Sequence, residues 1–151
     1  MCRKWLCKVL KCCDIQQGID PPKYLSDISW SEVNTILKAE FPDASILMTD
    51  AKYKTTTKVE FIRFITYDIS DKYNYVSDYY DCDDYSFSIY GNISNPEWGA
   101  LTFGVIWTNT PTGAHAVNCF IDNDREVWIV EPQTDEVFKL PDNWKPYLII
   151  M

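Results

Sequence analysis

Past Asn95-Pro96 the chain consists of four strand-like runs, 100–108, 113–121, 126–130 and 136–140, separated by Asn-Thr-Pro-Thr-Gly, Asp-Asn-Asp and Gln-Thr-Asp turns. Connections that short leave no room for a crossover helix, so neighbouring runs must pair as antiparallel hairpins. The residues before this point have a different period. Ser29-Trp30-Ser31-Glu32 has the form of a capping box, with Ile28 and Val33 placed to staple it. Val33, Ile36 and Leu37 then form an apolar face that runs to about Glu40 and is closed by Pro42. Residues 45–49 are a short apolar strand or turn. Thr57-x-x-Glu60 repeats the cap logic, and Val59, Ile62 and Ile65 predict a helix over 58–68, with a strand as the competing reading because Val, Phe, Ile and Tyr dominate. Residues 70–81, rich in Asp, Tyr and Asn, are expected to be irregular, and a third helix is expected from Cys82 to about Tyr90, ended by Gly91. Helices first and an antiparallel sheet second is the α+β pattern.

The chain has 151 residues, which suits a single domain, and 46% hydrophobic and 15% aromatic residues supply an ample core. Its 22 acidic and 14 basic side chains give a formal charge of −8. That field repels a phosphate backbone and argues against nucleic acid as a partner. Residues 1–13, MCRKWLCKVLKCC, carry Arg3, Lys4, Lys8 and Lys11 and no acid, so the rest of the chain stands at −12. Trp5, Leu6, Val9 and Leu10 fall at helical spacing in that stretch, an amphipathic basic pattern suited to a membrane surface or a protein partner, with acylation of its cysteines conceivable. The expected organisation is an arm over 1–19, then one domain over 20–151 that starts at Asp20-Pro21-Pro22. Lys8 breaks the apolar run and no small-residue cleavage site follows, so no secretion signal is read. A cytoplasmic setting or a place in a larger particle is expected.

A single histidine, His115, excludes multi-histidine metal sites and confines imidazole chemistry to one position. Cys82 falls at the expected start of the third helix, where peptide dipoles favour a thiolate. His115 lies among Gly113, Ala114, Ala116 and Val117, and Glu131 ends the following apolar run before Pro132. A short hairpin can bring His115 and Glu131 side by side, a carboxylate there fixes the imidazole tautomer, and a thiolate beside an imidazole is a competent nucleophile. Each residue also has a plain structural reading, as core thiol, satisfied strand histidine and turn cap. Cys119, among apolar neighbours, reads as core.

The blocks Tyr80-Asp81-Cys82-Asp83-Asp84-Tyr85-Ser86, Gly113-Ala114-His115-Ala116-Val117-Asn118 and Val130-Glu131-Pro132-Gln133-Thr134 resemble the papain-like cysteine protease domain at the C-terminus of mushroom agglutinins. More distantly they resemble bacterial transglutaminase-like cysteine proteases. The resemblance covers roughly residues 58–140 and implies a papain-like fold, a cysteine peptidase cutting amide bonds of a peptide or protein substrate, Cys82 as nucleophile, His115 as base and Glu131 as orienting carboxylate. Gln133 is carried over as a polar group near the site. The lectin trefoil of those agglutinins has no counterpart here, so the resemblance transfers no sugar binding.

The acids around Cys82 oppose a thiolate unless a cation cancels their field. Asp78, Asp83 and Asp84 are the expected ligands, with Asp81 and an Asn118 carbonyl oxygen as further candidates, for Ca2+ or Mn2+. The resembled agglutinin protease is calcium-dependent, which points the same way. Asp83 and Asp84 could equally serve only to complement the helix N-terminus. The rival to the enzyme is a catalytically inactive structural or interaction protein, for example a component of a phage or surface assembly. It draws on Tyr73, Tyr75, Tyr79, Tyr80 and Tyr85 and on the basic arm.

Overall fold

The computed structural model describes residues 19–151, so the basic stretch 1–13 and nearly all of the 1–19 arm lie outside the described residues. In chain order the elements are β1 (Ser26–Ser29), α1 (Trp30–Glu40), β2 (Ser45–Leu47), β3 (Lys52–Thr55), α2 (Lys58–Tyr67), a 3-10 turn (Ser70–Lys72) and α3 (Cys82–Ile93), followed by β4 (Phe103–Thr110), β5 (Gly113–Ile121), β6 (Val127–Glu131), β7 (Glu136–Phe138) and β8 (Lys145–Ile150). Among the described residues no helix is long and apolar enough to cross a membrane.

The two helix starts follow from their caps. Glu32 N–H donates to Ser29 Oγ at 3.2 Å and Glu60 N–H to Thr57 Oγ1 at 3.2 Å, each satisfying a donor that the first turn leaves free. Ile28 and Val33 are both buried, as a staple requires. The third helix runs through Gly91 to Ile93, past the expected stop. Gly91 is exposed with open space where a Cβ would lie, so it costs propensity without breaking the helix. The chain turns later, where the Asn95 side chain accepts from Glu97 N–H at 2.9 Å and Trp98 N–H at 3.1 Å.

Six strands form one sheet in the order β2-β8-β4-β5-β6-β7, and β1 pairs with β3 in a second, two-stranded sheet. β4 and β5 form the expected hairpin, from Phe103 opposite Phe120 to Thr110 opposite Gly113. Gly113, at φ +139, takes a conformation there that side chains disfavour. β8, which no periodicity announced, inserts between β4 and β2, antiparallel to the first and parallel to the second. Pro146 hides it: the missing N–H lies opposite Thr108, where the β4–β8 register shifts.

The papain-like α+β expectation is corrected on these elements. The described residues form a mostly β fold, eight strands in two sheets with three α-helices. Strands β1, β2 and β3 are threaded among the helices, and the main sheet is mixed because β2 runs parallel to β8. Both faces of that sheet are covered. Val117, Cys119, Ile121, Val127 and Ile129 pack with Val33 and Leu37 of α1, while Phe120 and Val130 pack with Phe61 and Phe64 of α2 and Ile89 of α3. Phe61 stacks on Phe120 with ring centroids 4.1 Å apart. Each fully buried Phe or Ile of this kind contributes roughly 1.5–3 kcal/mol of transfer free energy.

Two glycines test this packing in opposite directions. A Cβ on Gly104 would lie 2.4 Å from the Ile150 carbonyl oxygen and 2.4 Å from Met151 Sδ, so Gly104→Ala should force β4 and β8 apart and cost about 1–3 kcal/mol. Gly91→Ala meets nothing within 4 Å and should stabilise the protein by about 0.5–1 kcal/mol. Urea unfolding midpoints of the two variants check both signs.

Candidate functional site

Cys82 is the first residue of α3, with Asp81 as N-cap and the Asp84 carboxylate accepting from Asp81 N–H at 3.1 Å. Its side chain is half-buried beside β5, where the sulfur accepts from Ala116 N–H. Burial pushes the thiol up from its usual range, and the Asp81 and Asp83 carboxylates push it the same way. The N–H groups of Ala116 and Asp83 oppose them and lose. Behind the thiol, Asn118 fastens α3 to the sheet, its amide donating to Ser86 O at 3.0 Å and Gly104 O at 3.1 Å, while its Oδ1 is buried with no hydrogen-bond partner. Cys119 is fully buried, its sulfur 3.9 Å from Met151 Sδ, and burial raises its thiol to about 12.

His115 and Glu131 do meet. The imidazole Nε2 lies 2.7 Å from Glu131 Oε2, and Gln133 contributes its backbone N–H to Glu131 Oε1 at 3.4 Å. His115 alternates along β5 with Val117, Cys119 and Ile121, residues of the α1 face. Its ring stands edge-on to Trp144, centroids 5.7 Å apart at 82°. Thr110, Pro111, Thr112, Ala114, His115, Glu131, Asn143 and Trp144 line an open cleft of about 450 Å³. Cys82 is not part of that lining. Trp144 and Asn143 were missed because they sit in the turn before β8, outside any periodic run. The Pro141-Asp142-Asn143-Trp144 string, an aromatic held in a turn, was the available signal.

The acids near the thiol divide into separate roles. One ligand atom each from Asp81, Cys82 and Asp83 lies within 4.8 Å of the others. A hydrogen bond between the two carboxyls holds Asp81 below the usual carboxylate range and Asp83 above it. Asp84 is committed to the helix cap, and Asp78, at φ 62, gives its backbone N–H to Asp81. Of Asp78, Asp83 and Asp84, only Asp83 therefore has its carboxylate grouped with the thiol. The tyrosines divide too: Tyr73, Tyr75 and Tyr79 are exposed, whereas Tyr85 is buried and Tyr80 packs edge-on against it.

A raised thiol alkylates slowly. Iodoacetamide at pH 7.5 should modify Cys82 more slowly than a cysteine in an unfolded peptide, and Asp83→Asn should speed that reaction by removing a negative charge. Cys119 should react only after unfolding. Mass-spectrometric rates at the two positions, followed against pH, check the order.

The Agglutinin C-terminal family profile matches residues 53–137. No curated protein sequence matches the chain. Among solved structures the chain is similar to the PSL1a-E64 complex, with a TM-score of 0.73, 22% identity, and coverage of 83% of this chain and 51% of that one. It is also similar to Polyporus squamosus lectin bound to the human-type influenza-binding epitope Neu5Aca2-6Galb1-4GlcNAc, with a TM-score of 0.71, 21% identity, and coverage of 83% of this chain and 49% of that one. The chain thus spans about half the length of these structures.

These findings correct the expected cysteine peptidase, its classification as an enzyme and its peptide substrate. The agglutinin half of the resemblance stands, but the matches are to an agglutinin family and a lectin rather than to a protease. The physical reason lies in the site, where the thiol is held up instead of down and the His115 cleft is lined without it. With more than half of its residues inside the family match, the chain belongs to the Agglutinin C-terminal family.

Proposed function

We propose that this chain is a recognition module whose ligand is a glycan, held in the cleft of His115, Glu131 and Trp144. The observation that carries this reading is the chemistry of the lining. A half-buried indole offers a flat apolar surface to the C–H face of a sugar ring, and around it stand groups that hydrogen-bond hydroxyls. The Thr110 and Thr112 hydroxyls and the Asn143 amide both donate and accept, and the Glu131 carboxylate accepts. A small set of oriented polar groups beside one aromatic surface is the usual composition of a ligand site. The 2.7 Å bond to Glu131 fixes the imidazole, so this wall of the cleft is ordered before a ligand arrives.

A larger cleft of about 610 Å³ lies between the β2–β3 connection and the end of α3, lined by Tyr53, Tyr90 and Trp98 among others. Its wall is held by hydrogen bonds from the Tyr53 and Thr49 hydroxyls to the Met151 carbonyl, at 3.3 and 2.6 Å, and it has no carboxylate-fixed ring like the His115–Glu131 pair. Glu131 and the −12 charge of residues 14–151 favour a neutral sugar over an acidic one. This reading departs from the expectation drawn from the missing trefoil, and it does so on the cleft's own chemistry. The lectin relative's recorded glycan supports the ligand class, although its position in that longer protein is not carried over.

Binding of the full chain to neutral and sialylated oligosaccharides, screened on an array and quantified by calorimetry, tests the proposal. A neutral glycan should bind, and Trp144→Ala should weaken it at least tenfold, about 1.4 kcal/mol. Lys52→Ala, at the larger cleft, should leave it unchanged. No glycan bound by the wild-type chain, or peptide hydrolysis that disappears in Cys82→Ala, would overturn the reading.

A further inference from the structure

A third cleft, of about 290 Å³, lies where the described chain begins and has no residue in common with the lining of the His115 cleft. Its apolar wall is made by Phe64 and Tyr67 of α2 with Ile69, Pro96 and Trp98. Phe64 and Trp98 are buried against each other, ring centroids 4.9 Å apart, while Tyr67 stays 37% exposed. The Trp98 indole N–H is buried and has no hydrogen-bond partner among the described residues, which costs free energy in a folded chain. Asp68 and Glu97 add negative charge to the same lining. Arg63, whose guanidinium stands 5.0 Å from the Trp98 ring centroid, is paired with Glu60 at 2.6 Å and so does not cancel that charge. Ile19 is itself part of the lining, and Arg63 Nη2 donates to Asp20 O at 3.0 Å and Pro21 O at 3.5 Å. The chain therefore enters the fold at the edge of this groove and is held there.

We propose that the groove is the docking site for residues 5–10 of the same chain. Residues 1–18 lie outside the described residues, and what they bring is composition. Trp5, Leu6, Val9 and Leu10 are apolar at helical spacing, and Arg3, Lys4, Lys8 and Lys11 stand around them with no acid in residues 1–13. An apolar groove with negative charge in its lining complements both properties. Reach is not limiting, because the eight residues 11–18 connect that run to Ile19 and span at most about 26–29 Å. A tether that short holds its end at an effective concentration on the order of millimolar, so a contact too weak to capture a separate peptide is occupied within one chain. The docked run also brings backbone carbonyls, the acceptors that the Trp98 N–H lacks. An anionic lipid surface would attract the same basic run, but the −12 charge of residues 14–151 repels that surface and attracts the run.

Cys7 lies within the docked run and reports on it. Iodoacetamide should modify Cys7 of the reduced full chain at least tenfold more slowly in the folded state than in concentrated urea at the same pH, read by mass spectrometry. Tyr67→Lys, which puts a cation in the groove at the exposed end of α2, should abolish most of that protection. Glu97→Lys should do the same at an exposed position, so that a folding failure of one variant leaves the other decisive. Val59→Lys, on the exposed side of α2 and outside the groove, should leave the protection intact. Protection should weaken at high salt and stay unchanged on dilution. Cys7 that reacts as fast folded as unfolded would overturn the proposal, as would protection that survives in both Tyr67→Lys and Glu97→Lys. Protection lost on dilution would assign the run to a second copy of the chain, and protection seen only with phosphatidylserine-containing vesicles would assign it to a lipid surface; either result also overturns docking within one chain.

Discussion

Everything in this molecule is arranged around a strand that has no solvent-facing side. From Ala116 to Ile121 every residue of β5 is buried, because α1 covers one face of the sheet while α2 and α3 cover the other. Antiparallel sheets commonly leave one face wet, and a strand in such a sheet alternates apolar with polar. β5 cannot alternate, so the polar residues it does carry must find partners inside. Asn118 does so by donating to Ser86 O of α3 and Gly104 O of β4, two hydrogen bonds that fasten the helix to the sheet. At the open end of the same strand, His115 finds Glu131.

Two groups of the site engage β5 through different atoms. Cys82 meets β5 at the Ala116 backbone, whereas the His115 ring joins Glu131 and Trp144 at the α1 side. Burial, and after it the two neighbouring carboxyls, raise the thiol against the N–H groups of Ala116 and Asp83.

Much of the scaffold was legible because it is written in caps and turns. Ser29 and Thr57 announced α1 and α2, and the turns after 108 announced the β4–β5 and β5–β6 hairpins. What escaped was held by backbone pairing rather than by apolar period. Ser26–Ser29 and Lys52–Thr55 contain a single apolar core residue each, Ile28 and Tyr53, and are strands because they pair with one another. β8 escaped for the opposite reason, since a proline at its second residue reads as a breaker. At the site, the His115–Glu131 pair followed from hairpin geometry, but Trp144 did not, because it arrives from a turn adjoining β8, a strand that its proline concealed.

The insertion of β8 between β2 and β4 bears on how the chain is made. A ribosome delivers β2 about a hundred residues before the strand it must lie beside, and β4 is released with only one of its two edges satisfied. Until Lys145–Ile150 emerges, the nascent sheet exposes an unpaired edge and an uncovered stretch of the α1 core at Ile106. Contacts of such long sequence separation slow folding, and an edge held open during synthesis invites pairing with another nascent chain. The last strand therefore governs the interval in which this protein is most exposed to aggregation.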